Sequence, residues 1–182
     1  MIKLEKTNSP GAWLRLYQLY RQAFPAEERK PFSMIRKMYR RGVSDVWCAM
    51  EGSRFVGLAI TINSPQVILL DYLAVRENCR DRGVGTAILN RLKELYPGRG
   101  LFVEIENPFL DGTDREKRLR RKAFYQRWGM EPMGVMIWLF GVEMELLGYN
   151  CKLTYDQYYR FYHDCYTPWA AKHIQASEYP KT

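Results

Sequence analysis

The sequence predicts an α/β fold around a mixed sheet, and three observations carry that expectation. Apolar residues first recur at three- and four-residue steps, then strand-like runs take over, then strands and helices alternate up to a closing pair of strands. Turn formers divide the middle of the chain into three runs with short connections, the mark of an antiparallel meander. The composition, 47% hydrophobic and 26% charged over 182 residues, suits a globular chain with a sizeable core. A single domain over 1–182 is expected, with its core in 1–147 and an aromatic helical segment over 150–182.

The opening MIKLEK alternates apolar and polar residues as a short first strand does. After Ser9-Pro10-Gly11, Trp13, Leu16, Tyr17, Tyr20, Ala23 and Phe24 repeat at helical spacing until Pro25 stops them. A second short amphipathic helix follows Pro31. Met34, Ile35 and Met38 form its apolar side, Arg36, Lys37, Arg40 and Arg41 its solvated side, and Gly42 its end. The meander runs through 45–50, 54–62 and 66–75, separated by Glu51-Gly52-Ser53 and Asn63-Ser64-Pro65. A glycine-rich turn leads into a helix over 84–95 that ends before Pro97-Gly98. A strand over 101–106, a loop over 107–114 and a helix over 115–128 come next. The last elements are a strand pair, 133–140 and 142–147, and an aromatic helix near 155–166.

Several chemistries are excluded by what is missing. The longest unbroken apolar run, Val135–Phe140, is far short of the roughly 20 residues of a membrane span, so no membrane partner is expected. His163 and His173 are the only histidines, and their spacing fits neither an HExxH zinc site nor a zinc finger. No serine-hydrolase elbow and no glycine–lysine phosphate loop are present, so neither a metal nor a Ser–His nucleophile is expected. Cys48, Cys79, Cys151 and Cys165 form no CxxC pair, and the first residues hold no apolar signal core. A reduced, cytoplasmic chain is expected.

The most informative stretch is a turn. An apolar strand ending Leu73-Ala74-Val75 runs into Arg80-Asp81-Arg82-Gly83-Val84-Gly85-Thr86, and a helix starts at once. Val84, Ile88, Leu92 and Leu95 form its inward stripe; Arg91, Lys93 and Glu94 face out. Glycine at 83 and 85 removes Cβ atoms where the backbone N–H groups of the helix start can face a ligand. Those N–H groups have no intrahelical partners and lie at the positive end of the helix dipole, which suits an anion such as pyrophosphate. Arg80 and Arg82 add positive charge. The plainer alternative is a glycine-shaped turn with no ligand. A dinucleotide fingerprint is excluded, since Ile88 stands where a third glycine belongs.

Arg80-x-x-Gly83-x-Gly85, directly after that strand, resembles the coenzyme A loop of the GNAT family of N-acetyltransferases. One strand and one helix later, Ala123-Phe124-Tyr125-Gln126-Arg127-Trp128-Gly129-Met130 resembles the aromatic–tyrosine segment of the same family. With the element order, the resemblance covers roughly Met1 to Leu147. It implies a mixed, mostly antiparallel central sheet of about six to seven strands flanked by helices on both faces. It implies acetyl-CoA as co-substrate and no metal. Leu73, Ala74, Val75, Arg80, Asp81, Arg82, Gly83, Val84, Gly85 and Thr86 would contact it. Backbone N–H groups at the splayed strand end would polarise the thioester, and Tyr125 would protonate the leaving thiolate. Two positions depart from the family. Arg118 and Arg121 stand where it often has Asn and a small residue; as guanidinium groups they can meet phosphate oxygens instead. A homodimer is compatible with the resemblance.

The tyrosine helix can also be taken on its own terms. At about 100° per residue, Leu119, Ala123, Phe124 and Trp128 share one apolar face, and Arg118, Arg121 and Tyr125 lie roughly opposite. Tyr125 is then either a partly exposed packing residue or a hydroxyl along a phosphorylated cofactor. Residues 115–127 hold seven Lys/Arg against Glu116, a net of 7 − 1 = +6 within a chain whose total is +8. Such a run is usually a solvated face. Nucleic acid is the sharper rival, and it is disfavoured because the aromatic residues keep core spacing and no RNA- or DNA-binding signature is present.

Acetylating an amine requires a deprotonated amine, a polarised thioester and a protonated thiolate. The base is sought among strand carboxylates. Glu104 and Glu106 share one strand face, opposite Val103 and Ile105. Asp71 interrupts the apolar run 67–75, and Glu143 and Glu145 alternate with Val142, Met144 and Leu146. Most such groups are edge or solvent-face charges. Glu104 is favoured as amine-binding carboxylate or base, through water, with Asp71 second. His163 and His173 are expected at the surface or satisfied. Tyr155, Tyr158, Tyr159, Phe161, Tyr162 and Tyr166 are expected to pack the last helix on the domain, in a position that also lets them wall a pocket. The expected activity is acetyl transfer from acetyl-CoA to a primary amine of a small molecule or peptide by direct attack in a ternary complex. Its rivals are a longer-chain acyl donor, a cofactor-binding regulatory domain without turnover, and a basic RNA binder.

Overall fold

The computed structural model describes residues 1–180. Its strands are β1 (Ile2–Lys6), β2 (Ser44–Glu51), β3 (Arg54–Asn63), β4 (Val67–Val75), β5 (Gly100–Glu106), β6 (Glu131–Leu139), β7 (Val142–Tyr149) and β8 (Ile174–Ser177). Its helices are α1 (Pro10–Ala23), α2 (Phe32–Arg40), α3 (Val84–Leu95), α4 (Arg115–Trp128), α5 (Tyr155–Cys165) and the single turn α6 (Pro168–Ala171). The strand order is β1-β2-β3-β4-β5-β7-β6-β8. The chain forms two compact units, and β4 is divided between them: Leu70–Val75 belongs to the first, Val67–Leu69 to the second.

In the first unit, local chemistry sets each element. The Ser9 side chain accepts from the Ala12 N–H at 3.2 Å, and Pro10 sits in the first turn, where its missing N–H would have had no partner anyway. α1 buries Ala12, Leu16, Leu19 and Tyr20, and α2 adds Ile35. They meet one face of the strands through Val46, Cys48, Leu58, Ile60, Tyr72 and Ala74. Strand alternation turns Trp47 and Gly57 the other way, and α3 covers that side. Tyr96, at the end of α3, accepts from Trp47 Nε1 at 3.2 Å, and Ile88 lies against Gly57. A Cβ on Gly57 would stand 2.7 Å from the Ala74 carbonyl oxygen, so this close approach requires glycine.

In the second unit, Val67–Leu69 of β4 pairs in parallel with Gly100–Phe102 of β5. β5 is antiparallel to β7, β7 to β6, and β6 to β8. β8 is one strand more than the six to seven expected. Its four residues, Ile-Gln-Ala-Ser, are too short for a period to show, and pairing with Met136–Leu139 is what makes them a strand. Phe102 packs edge-on against Tyr158 and Phe161 of α5, with centroids 6.3 and 5.1 Å away. Thr154 and Gln157 start α5 with a reciprocal capping box. α4 reaches the opposite face of the same strands, where Lys122 meets Glu145, the register partner of Ile105.

Candidate active site

The turn after β4 is built mainly from backbone. A short 3-10 turn, Glu77–Cys79, seats the buried Cys79, and Arg80 Nε donates to the Val75 carbonyl at 3.4 Å. Asp81 and Gly83 both take left-handed conformations, φ 57° and 73°, which turn the chain into α3. Gly83 is the N-cap, and among the described residues no side chain caps the helix. The first helical bond runs from the Ala87 N–H to the Gly83 carbonyl at 2.9 Å. The N–H groups of Val84, Gly85 and Thr86 therefore have no intrahelical partner and point out of the helix start. A Cβ on Gly83 would meet no atom within 4 Å among the described residues, so that position beside the helix start is open. Arg82 reaches Glu51 at 3.7 Å, a loose exposed pair.

α4 overturns the expected assignment of faces. Leu119 is 39% exposed, while Tyr125 is the buried residue of the helix at 8%. The cause is the surface α4 meets. Glu145 on β7 is fully buried, and Lys122 Nζ lies 2.9 and 2.8 Å from its two oxygens. The Tyr179 hydroxyl donates to the same carboxylate at 2.6 Å. A buried carboxylate must be compensated, so α4 turns a lysine inward, and Tyr125, three residues on, follows it. Glu145 is thus no edge charge. Burial pushes the Tyr125 hydroxyl up to about 12, with Arg121 opposing the shift. Among the described residues that hydroxyl makes no hydrogen bond. Arg118 Nη2 donates to the Leu110 carbonyl at 2.5 Å, and its buried Nε has no hydrogen-bond partner among the described residues. Arg121 Nη1 donates to Glu106 at 3.0 Å.

The two candidate bases sit in different surroundings. Glu104 accepts from the Tyr158 hydroxyl at 2.7 Å and from the Tyr162 hydroxyl at 3.1 Å. Burial, with the Glu104 charge, holds Tyr158 well above the usual phenol range, so it stays a donor. Asp71, its side chain 5% exposed, lies 2.5 Å from Lys30 Nζ. Glu143 accepts from Asn107 Nδ2 at 2.6 Å and from the Ser177 hydroxyl. His163 is exposed beside Asp164, and His173 is exposed and stacked on Phe140.

The Acetyltransferase (GNAT) family pattern matches residues 13–130, more than half of the chain. The chain belongs to the GNAT acetyltransferase family. YjbC of Bacillus subtilis (strain 168), assigned to the acetyltransferases, is 32% identical over 111 residues, which are 61% of this chain and 54% of YjbC. The chain thus spans about half the length of the curated relative it matches. A structure from Bacteroides thetaiotaomicron assigned to the GNAT family has TM-score 0.71 at 19% identity, over 94% of this chain and 98% of the other. An aminoglycoside 6'-N-acetyltransferase complexed with coenzyme A has TM-score 0.63 at 20% identity, over 82% and 96%. These two likenesses establish the shared fold.

Within this GNAT chain, both motifs found in the sequence lie inside the matched segment, and the hydroxyls that hold Glu104 lie outside it. Tyr158 and Tyr162 had a detectable signal, since i,i+4 spacing puts two phenols on one helix side. Lys30 had none. It meets Asp71 from 41 residues away, and no local pattern encodes that pairing.

Proposed function

We propose that this chain transfers an acetyl group from acetyl-CoA to a primary amine of a small molecule or peptide by direct attack in a ternary complex. The observation that carries the reading is the uncapped start of α3, with open space where a Gly83 Cβ would stand. The residues present fit the donor. Val84, Gly85 and Thr86 offer N–H groups, and Arg80 and Arg82 offer charge, to a pyrophosphate. Asp81 and Gly83 shape the turn. Backbone N–H groups of Leu73, Ala74 and Val75 are assigned to the thioester carbonyl. When bound, acetyl-CoA supplies the activated acetyl group.

Tyr125 is assigned to the leaving sulfur. A phenol near 12 lies about 3.5 units above an ordinary thiol near 8.5, so full proton transfer to the thiolate is uphill by about 5 kcal/mol. Tyr125 therefore acts as a hydrogen-bond donor to the charge as it develops, and the proton follows through solvent. Glu104, held by Tyr158 and Tyr162, is favoured to bind or deprotonate the amine through water; Asp71 is second. Arg118 and Arg121 serve as phosphate contacts only by exchanging the Leu110 and Glu106 partners they now hold.

Thermal-shift titration tests the donor. Acetyl-CoA and free CoA at 100-fold excess over the dissociation constant should each stabilise the protein by about 2.7 kcal/mol. Gly83→Val should abolish the shift, because a branched residue at φ 73° both strains the turn and fills the open space. No shift at millimolar ligand overturns the donor assignment. Thiol release with a panel of amines tests turnover, and a shift without release from any amine leaves a binding domain in place of an enzyme.

A further inference from the structure

Lys30 reaches β4 from the connection between α1 and α2 and touches two consecutive residues of that strand. Its backbone N–H donates to the Tyr72 hydroxyl at 3.1 Å. Its Nζ lies 2.5 Å from Asp71 Oδ1 and 5.6 Å from the centre of the Tyr72 ring. Consecutive strand residues point to opposite faces, so a residue that meets both must pass around an edge of the strand. β3 lies along one edge. Along the other, the register with β5 covers Val67–Leu69. Lys30 therefore wraps the edge of β4 beyond that ladder, from Leu70 onward. The Arg76 N–H donates to the Val56 carbonyl of β3 at 2.9 Å, so alternation turns the N–H groups of Leu73 and Val75 to this same edge, where the function proposed above has the thioester carbonyl. Leu73 is one two-residue repeat, about 6.6 Å, beyond Asp71.

The lysine is also aimed. The Tyr20 hydroxyl donates to the Lys30 carbonyl at 3.1 Å, and the Tyr72 hydroxyl, besides accepting from the Lys30 N–H, donates to the Glu28 carbonyl at 3.0 Å. Burial keeps both phenols protonated, pushing Tyr20 up to about 12 and Tyr72 higher still. Both backbone groups of Lys30 are thus held, and its side chain is 20% exposed.

We propose that Lys30 is an internal acetyl acceptor, so that the chain acetylates its own Lys30 Nζ. The inference rests on the acetyl-CoA reading above. One proton of the ammonium passes to solvent, and Asp71 Oδ1, the acceptor beside Nζ, holds an N–H of the free amine that remains. The Nζ lone pair then forms a C–N bond to the thioester carbon. The attacking nitrogen gives up a second proton, the C–S bond breaks with its electron pair on sulfur, and sulfur takes that proton. The products are N-acetyl-lysine at 30, the free thiol of CoA and one proton released. The acetylated side chain carries no charge, so Asp71 loses its cation and becomes available to an external amine.

The full chain is incubated with acetyl-CoA and no amine. The peptides carrying Lys30 and the exposed Lys3 and Lys152 are followed by mass spectrometry, and donor binding by thermal shift in the same samples. Lys30 should be acetylated about tenfold or more faster than the exposed lysines, because proximity makes the step unimolecular, and dilution should leave its rate constant unchanged. Lys30→Arg should keep the thermal shift and lose the label; Gly83→Val should lose both. A thermal shift with Lys30 unlabelled overturns the inference, as do equal labelling of all three lysines and a rate that falls on dilution. Absence of both shift and label overturns the donor reading, and this inference with it.

Discussion

α3 and α4 have similar lengths, 12 and 14 residues, and each follows a strand through a turn, yet they are held by different physics. α3 buries Val84, Ile88, Leu89 and Leu92 against Trp47, Gly57 and their neighbours, so apolar area supplies its stability. α4 buries Tyr125 and places Lys122, 13% exposed, on a carboxylate with no exposure at all. What a helix buries is decided by the surface it faces, and one charged residue on that surface reverses the face a hydrophobic pattern would select. Hence α3 is tolerant of changes in charge and sensitive to volume, and α4 is the reverse.

The largest effect should come from breaking the ion pair. Lys122→Met leaves Glu145 buried with the Tyr179 hydroxyl as its remaining partner, and should destabilise by about 3–5 kcal/mol in urea unfolding. Adding Glu145→Leu should restore most of that loss, because two apolar groups need no compensation. A single-variant loss below 1 kcal/mol would remove the contrast between the helices. Next, Ile88→Ala on α3 should cost about 2–5 kcal/mol through lost transfer energy and a cavity. Its effect should add to that of Lys122→Met, since the two sites share no partner.

How much could be seen in the sequence follows from the same contrast. The bounds of α3 and α4 are those expected, because Gly83 and Gly129 mark a helix start and a helix end by their left-handed conformations. The inward stripe of α3 was legible at Val84, Ile88 and Leu92, but Leu95, expected inward at the last turn, is 43% exposed, and Leu89 is fully buried instead. The inward side of α4 was not, because Glu145 and Lys122 look like solvated charges until the strand register and the helix axis bring them together. β8 fell below the length at which alternation can be recognised, and the Lys30–Asp71 pairing depends on a loop crossing a strand edge. Both motifs of the candidate site were visible; the groups that hold its carboxylates in place were not, apart from the paired phenols of α5.

A kinetic measurement sharpens the comparison on the functional side. The Tyr125 hydroxyl makes no hydrogen bond among the described residues, so Tyr125→Phe should leave stability within about 0.5 kcal/mol. As a hydrogen-bond donor to the leaving sulfur, its loss should lower kcat by about 10²–10³-fold, with CoA affinity nearly unchanged. Unchanged kcat would leave Tyr125 a packing residue of α4 and nothing more.

The smallest expected effect tests the face assignment most directly. Leu119 belongs to the apolar stripe that helical spacing selects, and if that stripe faced the core, Leu119→Gln would cost about 2–5 kcal/mol. The structure leaves it 39% exposed, and a substitution at such a position should stay within about 0.5 kcal/mol. For a domain of this size that is a change in Tm of about 1–2 °C, against several times as much for a buried leucine. Leu92→Gln on α3 is the matched control, because Leu92 has no exposure and its amide would be buried without a partner. The pair separates pattern from environment: two leucines on helices of similar length, one change of chemistry, and opposite outcomes in the same melting experiment. Equal losses would mean that α4 rests on its apolar stripe after all, and the Lys122–Glu145 pair would then be an accompaniment to that packing, not its cause.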